Sequence, residues 1–250
     1  MADLPVAQTR GYQVMEGAQI QVRGLRVRYG QNEVIHGVDL QANDGEFVAI
    51  VGKSGCGKST LLHALAGFIE REGEVQIPEN VGVVFQNYAV FPWLTVRGNM
   101  NFGLHAMNAT EQEGVVERLL EMTGLSADAA KYPAQLSGGQ AQRVALGRAL
   151  APDPDVLLMD EPFGALDMYT REKMQGWLLD IWEKQSKTVL FVTHNIEEAI
   201  FLADRVLVFG NGRILAEFCV PFGRPRTDKL KFITGFIELK KQIVDTMEGN

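Results

Sequence analysis

The sequence predicts an α/β fold in which a mostly parallel sheet is covered by helices on both faces. Three observations point there. Short apolar runs alternate along the chain with segments of helical period. One run, FVAIVG (47–52), stops at glycine and opens directly into KSTLLHALAGF, a strand, a tight loop and a helix. Residues 95–150 then change to helical periods and read as an insert. At 250 residues and 46% hydrophobic, the chain is large enough to bury the core this fold needs.

The elements follow in order. QIQVRGLRVRYG (19–30) alternates like a strand with one polar face. After FVAIVG and its helix, VGVVFQ (81–86) reads as a buried strand. EQEGVVERLLEMTGL (111–125) and GQAQRVALGRAL (139–150) carry helical periods. Strands return with DVLLMD (155–160), TVLFVTH (188–194) and RVLVFG (205–210), separated by the helices REKMQGWLLDIWEKQ and IEEAIFLA. GNGR (210–213) signals a hairpin turn. In the last segment, Phe232, Phe236, Leu239, Ile243 and Met247 fall on one helical face. That face either docks on its own domain or binds a partner.

Composition excludes several classes. Lys and Arg total 24 against 31 Asp and Glu, a net charge of −7, so no nucleic-acid partner is expected. Two cysteines, Cys56 and Cys219, do not make a disulfide framework. The opening MADLPVAQTRGYQV has no basic n-region and no apolar h-region, so no signal peptide is expected. Runs such as VLFV and VGVVF are far too short to span a bilayer. The expectation is a cytoplasmic chain, soluble or peripherally attached.

Gly52, Gly57, Lys58 and Ser59 fit G-x-x-x-x-G-K-[ST] after a strand and before a helix. In such a loop (Gly52, Ser54, Gly55, Cys56, Gly57) successive backbone N–H groups curl round a β-phosphate, and the helix N-terminus adds attraction. Lys58 would bridge the β- and γ-phosphates, Ser59 would ligate Mg²⁺, and Thr60 could reach the α-phosphate. The competing reading is a plain glycine turn capping a helix. DVLLMDEP sets Asp160 and Glu161 at the carboxyl end of a strand, where open α/β sheets bind ligands. Asp160 would hold Mg²⁺ and Glu161 would act as general base. A solvated acidic strand end is the alternative. His194 ends one strand and could reach a γ-phosphate. Gln86 ends another and could touch Mg²⁺ and the attacking water. Tyr29 could stack on adenine. Each of the three could equally be structural.

A second glycine-rich loop, LSGGQ (136–140), remains unexplained by a single nucleotide site. With it, the parts resemble the ATP-binding-cassette ATPase family over nearly the whole chain. LSGGQ is similar to the family signature, GALD (164–167) to its D-loop and VTH (192–194) to its switch histidine. The resemblance implies a P-loop NTPase (RecA-like) core with an antiparallel β subdomain and an inserted helical subdomain. It implies one domain over 1–250: a nucleotide-binding core at 1–90 and 151–220, the helical signature subdomain at 91–150 and a C-terminal helical extension at 221–250. It also implies ATP and Mg²⁺ as ligands and a head-to-tail pair of cassettes, the second chain most simply identical. Leu136, Ser137, Gly138, Gly139 and Gln140 would close over ATP held by the partner. The Ser137 hydroxyl, the Gly139 N–H and the helix from Gln140 would form the anion site, and Asp167 would link the two sites.

FQNYAVFPWLTVRGNMNFGL (85–104) resembles the segment after the Q-loop in bacterial importer cassettes, and PWLTV the nitrate, sulfonate and taurine group. That implies separate permease subunits contacting Ala89, Phe91 and Trp93, and a periplasmic or extracellular solute-binding protein acting through the permease. The chain would then sit peripherally on the cytoplasmic face of the inner membrane. Packing inside the helical insert is the other reading of the two aromatics. An exporter or lipid-trafficking cassette, a DNA-acting cassette ATPase and a kinase are rival functions. Three residues depart from the family pattern: Asn195 after the histidine, Ala141 after the signature, and Gly147 in VALGRAL.

Overall fold

The computed structural model describes residues 18–104 and 114–249. The opening segment and the first three residues of the helical stretch 111–125 lie outside them. Two compact units are present: one from the chain up to Pro78 and from Ser186 onward, the other Glu79–Gln185.

In the first unit, β1 (Ala18–Tyr29) and β2 (Asn32–Asn43) form an antiparallel hairpin closed at Tyr29↔Asn32. β4 (Glu72–Gln76) pairs with the other edge of β1. Ile20, Val22, Leu25 and Val27 on β1, and Ile35, Val38, Leu40 and Ala42 on β2, are buried, giving the alternation of a sheet wetted on one face. A second sheet in this unit is built round a central buried strand. β3 (Phe47–Val51) is parallel to β7 (Thr188–Thr193) and to β8 (Arg205–Gly210). β3 and β7 are buried throughout, which explains why they read as continuous apolar runs rather than alternating ones. β9 (Arg213–Cys219) returns antiparallel to β8 through Asn211 and Gly212, both at positive φ. This is the turn that GNGR predicts.

Helices α1 (Lys58–Leu65), α6 (Ile196–Leu202) and α7 (Thr234–Glu248) belong to this unit. On α7, Phe236, Leu239 and Ile243 are buried, each contributing about 1.5–3 kcal/mol. The C-terminal face therefore docks on its own unit. Phe232 is not part of that face: it ends a 3-10 turn (Asp228–Phe232) and is 81% exposed. The change from 3-10 to α geometry breaks the spacing that the sequence pattern assumed.

In the second unit, β5 (Val81–Val84) is parallel to β6 (Val156–Asp160). α2 (Val96–Gly103), α3 (Val115–Met122), α4 (Gly138–Leu150) and α5 (Met168–Gln185) complete it. α4 is its axis, with Val144, Ala145, Leu146, Ala149 and Leu150 all buried. α2 and α4 approach closely at two glycines. A Cβ on Gly103 would lie 2.4 Å from the Arg148 carbonyl, and one on Gly147 2.8 Å from Met100 Cε. Gly147, a departure from the family pattern, thus makes room for Met100. Arg143 on α4 donates to the Thr123 carbonyl and lies 5.4 Å from the Trp177 ring centroid, tying α4 to the end of α3 and to α5.

Candidate active site

The loop between β3 and α1 is built by close approach. A Cβ on Gly52 would fall 2.1 Å from the Phe209 carbonyl of β8. Gly57, at φ 106, is the N-cap of α1 and brings no side chain to that helix end. The first-turn amides of α1 are therefore left without a side-chain cap, the arrangement an anion can use. Lys58 is only 5% exposed, and its ammonium donates to the Gly52 carbonyl (2.9 Å) and the Lys53 carbonyl (3.0 Å). Ser59 and Thr60 follow, both half-buried. The Cys56 thiol is half-buried, 3.5 Å from the Phe209 carbonyl. A cavity of about 270 Å³ adjoins the loop, walled by Lys53, Cys56, Asn211, Leu215 and Met247 of α7.

Strand register brings His194 to the same edge. Val51 pairs with Thr193, so Gly52 and His194 leave adjacent parallel strands together. Asn195 then caps α6: its Oδ1 accepts from the Glu198 N–H at 3.2 Å. The Thr193 hydroxyl donates to the buried Glu198 carboxylate (2.5 Å) and accepts from the Asn195 N–H (3.0 Å). Asn serves as well as Asp at an N-cap, so the departure at 195 leaves the local fold intact. Tyr29 is exposed at the β1–β2 turn. Val34 and Ile35 of β2 lie 3.3 and 3.2 Å from the Gly57 Cβ position, so the hairpin packs on the phosphate loop.

In the other unit, Val84 pairs with Met159, so Gln86 and the acids Asp160 and Glu161 leave neighbouring strands at one carboxyl edge. β5 stops at Val84, and Gln86 lies beyond it in an exposed turn rather than ending the strand. Asp160 is buried. Glu161 is half-buried at φ 43, a left-handed backbone that costs a non-glycine residue about 1–3 kcal/mol. Its carbonyl accepts from the Gly164 N–H at 3.0 Å, which closes the turn into the D-loop. Asp167 Oδ1 accepts from the Thr170 N–H at 3.0 Å, and hydrogen bonds from Thr170 hold its carboxyl below the usual range.

The second glycine-rich loop is a helix cap. Ser137 is the N-cap of α4, its hydroxyl accepting from the Gln140 N–H at 3.3 Å while Gln140 Oε1 accepts from the Ser137 N–H at 2.9 Å. This capping box is steadied by Gln140 donating to Asp128 at 2.8 Å. The helix begins at Gly138, earlier than the Gln140 start the sequence suggested. A Cβ on Gly138 would meet Leu166 at 3.3 Å, and one on Gly139 would meet Thr170 at 2.8 Å. The loop therefore packs directly on the segment carrying Asp167.

Between Gln86 and α2 stands an aromatic loop. Phe91 packs between Trp93 (5.3 Å) and Phe102 (4.5 Å), and Trp93 is 69% exposed. The buried Asn99 staples it: Oδ1 accepts from the Phe91 N–H, and Nδ2 donates to the carbonyls of Phe91, Leu94 and Thr95.

A phosphate loop, an acidic strand edge and a capped GG helix start in one chain match a known pattern. The profile described as "ABC transporter" matches residues 35–164. An aliphatic sulfonates import ATP-binding protein, SsuB, of Mycobacterium sp. (strain MCS) is 44% identical over 92% of this chain and 94% of that protein. A namesake from Paraburkholderia xenovorans (strain LB400) is 48% identical over 80% of each. The chain belongs to the ABC transporter family. Among solved structures, a dimeric ATP-binding cassette in a post-hydrolysis state with ADP and Pi aligns with TM-score 0.70 at 32% identity, over 82% of this chain and all of that one. An inward-facing putative metal-chelate type ABC transporter aligns with TM-score 0.71 at 26% identity, over 78% and 81%. The fold is thus the ATPase cassette, and the chain is an ATPase.

Within this cassette, Gly52–Thr60 and His194 share one strand edge, and Gln86, Asp160 and Glu161 another. Gly138 and Gly139 pack on Leu166 and Thr170, which flank Asp167. Sequence reasoning missed Asn99 and Arg148, which hold the aromatic loop. A buried Asn has no periodic signal, and an Arg inside a helical run reads as a solvated position.

Proposed function

We propose that the chain is the ATP-hydrolysing subunit of a bacterial importer, working as a dimer on a separate permease, with sulfonates or similar small anions as cargo. The observation that carries this is identity of 44–48% to sulfonate import ATP-binding proteins over 80–94% of both partners. No helix among the described residues is long and apolar enough to cross a membrane, which fits a subunit that borrows its membrane path.

The residues divide the work as follows. The amides of the phosphate loop and of α1 bind the triphosphate. Lys58 exchanges its loop carbonyls for the β- and γ-phosphates. Ser59, Asp160 and Gln86 would hold Mg²⁺, which offsets phosphate charge. No group of three or more His, Cys, Asp or Glu able to cage a metal exists among the described residues. A few oxygen donors plus phosphates suit Mg²⁺. Glu161 accepts the proton of the attacking water, His194 contacts the γ-phosphate, and Tyr29 stacks on adenine. Ser137 and the first-turn amides of α4 close over ATP held by the second chain, with Asp167 at the seam. Ala89, Phe91 and Trp93 face the permease, and Asn99 keeps that loop in shape. Hydrolysis releases the dimer and resets the permease.

The test is a mild-detergent pull-down of the tagged chain from its native membranes, followed by mass spectrometry. A polytopic permease with an associated solute-binding protein is the expected result. A permease without a binding protein would favour export or lipid trafficking. A membrane-free dimer, under conditions that preserve a known transporter, would overturn the transport reading.

A further inference from the structure

The turn after Gln86 contains two consecutive non-glycine residues in left-handed geometry, Tyr88 at φ 61 and Ala89 at φ 46. Such backbone persists only where its surroundings hold it. The turn's amides are satisfied locally: Tyr88 N–H donates to Phe85 and Ala89 N–H to Asn87. Its carbonyls are not. Arg148 takes both, Nη2 donating to Tyr88 O at 3.2 Å and Nη1 to Ala89 O at 2.5 Å, with its guanidinium 5.0 Å from the Phe91 ring centroid. The Tyr88 hydroxyl is buried with no hydrogen-bond partner among the described residues, so it does not share the task. A planar guanidinium presents its donors in a rigid, preset fork and stacks on an aromatic ring, whereas an ammonium is a point charge on a flexible stem.

Arg148 belongs to α4, the helix that Ser137 caps. The two residues are separated by 148 − 137 = 11 positions, about 16 Å along the axis. α4 is buried along most of its length and packs closely against α2 at Gly103 and Gly147. One end carries the signature cap, and the other grips the left-handed turn. Packed side chains along one rigid element are a physical carrier for coupling between its two ends.

We propose that Arg148 is the positioning residue that couples the signature loop to the permease-facing turn, by clamping the Tyr88 and Ala89 carbonyls from the far end of α4. The proposal rests on the assignment of Ala89, Phe91 and Trp93 to the permease. It goes beyond that assignment by naming the side chain that links the turn to ATP closure.

The experiment uses Arg148→Lys and the double variant Arg148→Lys/Ala89→Gly. Hydrogen exchange at residues 86–91 is followed in the isolated chain, and ATP hydrolysis is measured alone and in the complex purified from native membranes. Arg148→Lys is expected to hydrolyse ATP alone within about twofold of wild type, while permease stimulation falls roughly tenfold, the scale of ordinary coupling. Exchange at the turn rises. Ala89→Gly restores most of the stimulation, because glycine holds positive φ without a clamp. A merely structural arginine would lower basal and stimulated hydrolysis together and would not be rescued at Ala89. Unchanged exchange, parallel loss of both activities, or normal stimulation in Arg148→Lys each overturns the proposal. If no membrane subunit co-purifies, the transport reading itself fails, an outcome distinct from a permease that is present and normally stimulated. Should Arg148→Lys not fold, Phe91→Leu removes the ring beneath the guanidinium. It is expected to raise exchange at the same turn, and unchanged exchange there would again overturn the clamp.

Discussion

The phosphate loop and the signature loop look alike in sequence, yet their glycines answer different physical demands. In the first, Gly52 makes room for the Phe209 carbonyl, but Gly55 and Gly57 sit at φ 78 and 106, conformations that side chains resist, and the helix N-terminus carries no side-chain cap. In the second, Gly138 and Gly139 are helical, and their need is space, against Leu166 and Thr170. There the cap is complete, with Ser137 and Gln140 bonded to each other's amides. One loop leaves the backbone amides of its helix start without a side-chain cap. The other presents a finished helix end, rigid before any ligand arrives. The difference teaches that glycine-rich loops of similar sequence can use glycine for positive φ in one place and for close packing in another.

Four experiments break or sharpen that contrast. The largest effect is expected at Ser137. In a Glu161→Gln background, where hydrolysis is blocked, ATP should drive dimerisation measured by light scattering. Adding Ser137→Arg should abolish the dimer while leaving ATP binding by the monomer intact. A Glu161→Gln chain that stays monomeric at high ATP would contradict the two-loop arrangement. Next comes Gly57→Ala, which strains φ 106 and should weaken ATP binding about 10–100-fold by titration calorimetry. No trimming of neighbours should rescue it, because the strain is in the backbone.

Gly139→Ala is expected to behave differently. The new Cβ meets the Thr170 methyl, and overpacking of about 1–2 kcal/mol should weaken ATP-dependent dimerisation roughly tenfold. Removing that methyl with Thr170→Ser should restore it. Failure of the rescue would mean that Gly139, too, is required for conformation. The smallest effect concerns Cys56, a thiol present in one loop and absent from the other. Small thiol reagents should slow hydrolysis partially, with protection by ATP. Cys56→Ala should be insensitive even though the exposed Cys219 remains.

Much of this was legible in the residues. The strands β3, β6, β7 and β8 are short apolar runs, and each ends where a chemically marked residue begins: Gly52, Glu161, His194 and the Asn211 turn. The motif spacing marked the loop between β3 and α1, and LSGGQ marked the start of α4. β2, β4 and α2 were not read out. β2 and β4 are mixed-polarity strands whose pairing with β1 carries the information, and α2 has Gly98 and Gly103 inside it. VGVVFQ stays apolar up to Phe85 and so reads as a strand ending at Gln86, whereas pairing stops at Val84.

By itself, the sequence determined which residue types are available: a G-x-x-x-x-G-K-S loop, an Asp-Glu pair, a strand-end histidine and an LSGGQ segment, all local patterns of residue type and spacing. Tertiary structure alone decided which of them stand together. Val51↔Thr193 places His194 beside the phosphate loop, and Val84↔Met159 places Gln86 beside Glu161. It also decided that Gly147 serves Met100, that Asn99 staples the aromatic loop and that Arg148 grips a strained turn 59 residues away. The physical reason is the same in each case. Register, close approach and the satisfaction of buried carbonyls depend on partners distant in sequence, and no periodicity along the chain records them.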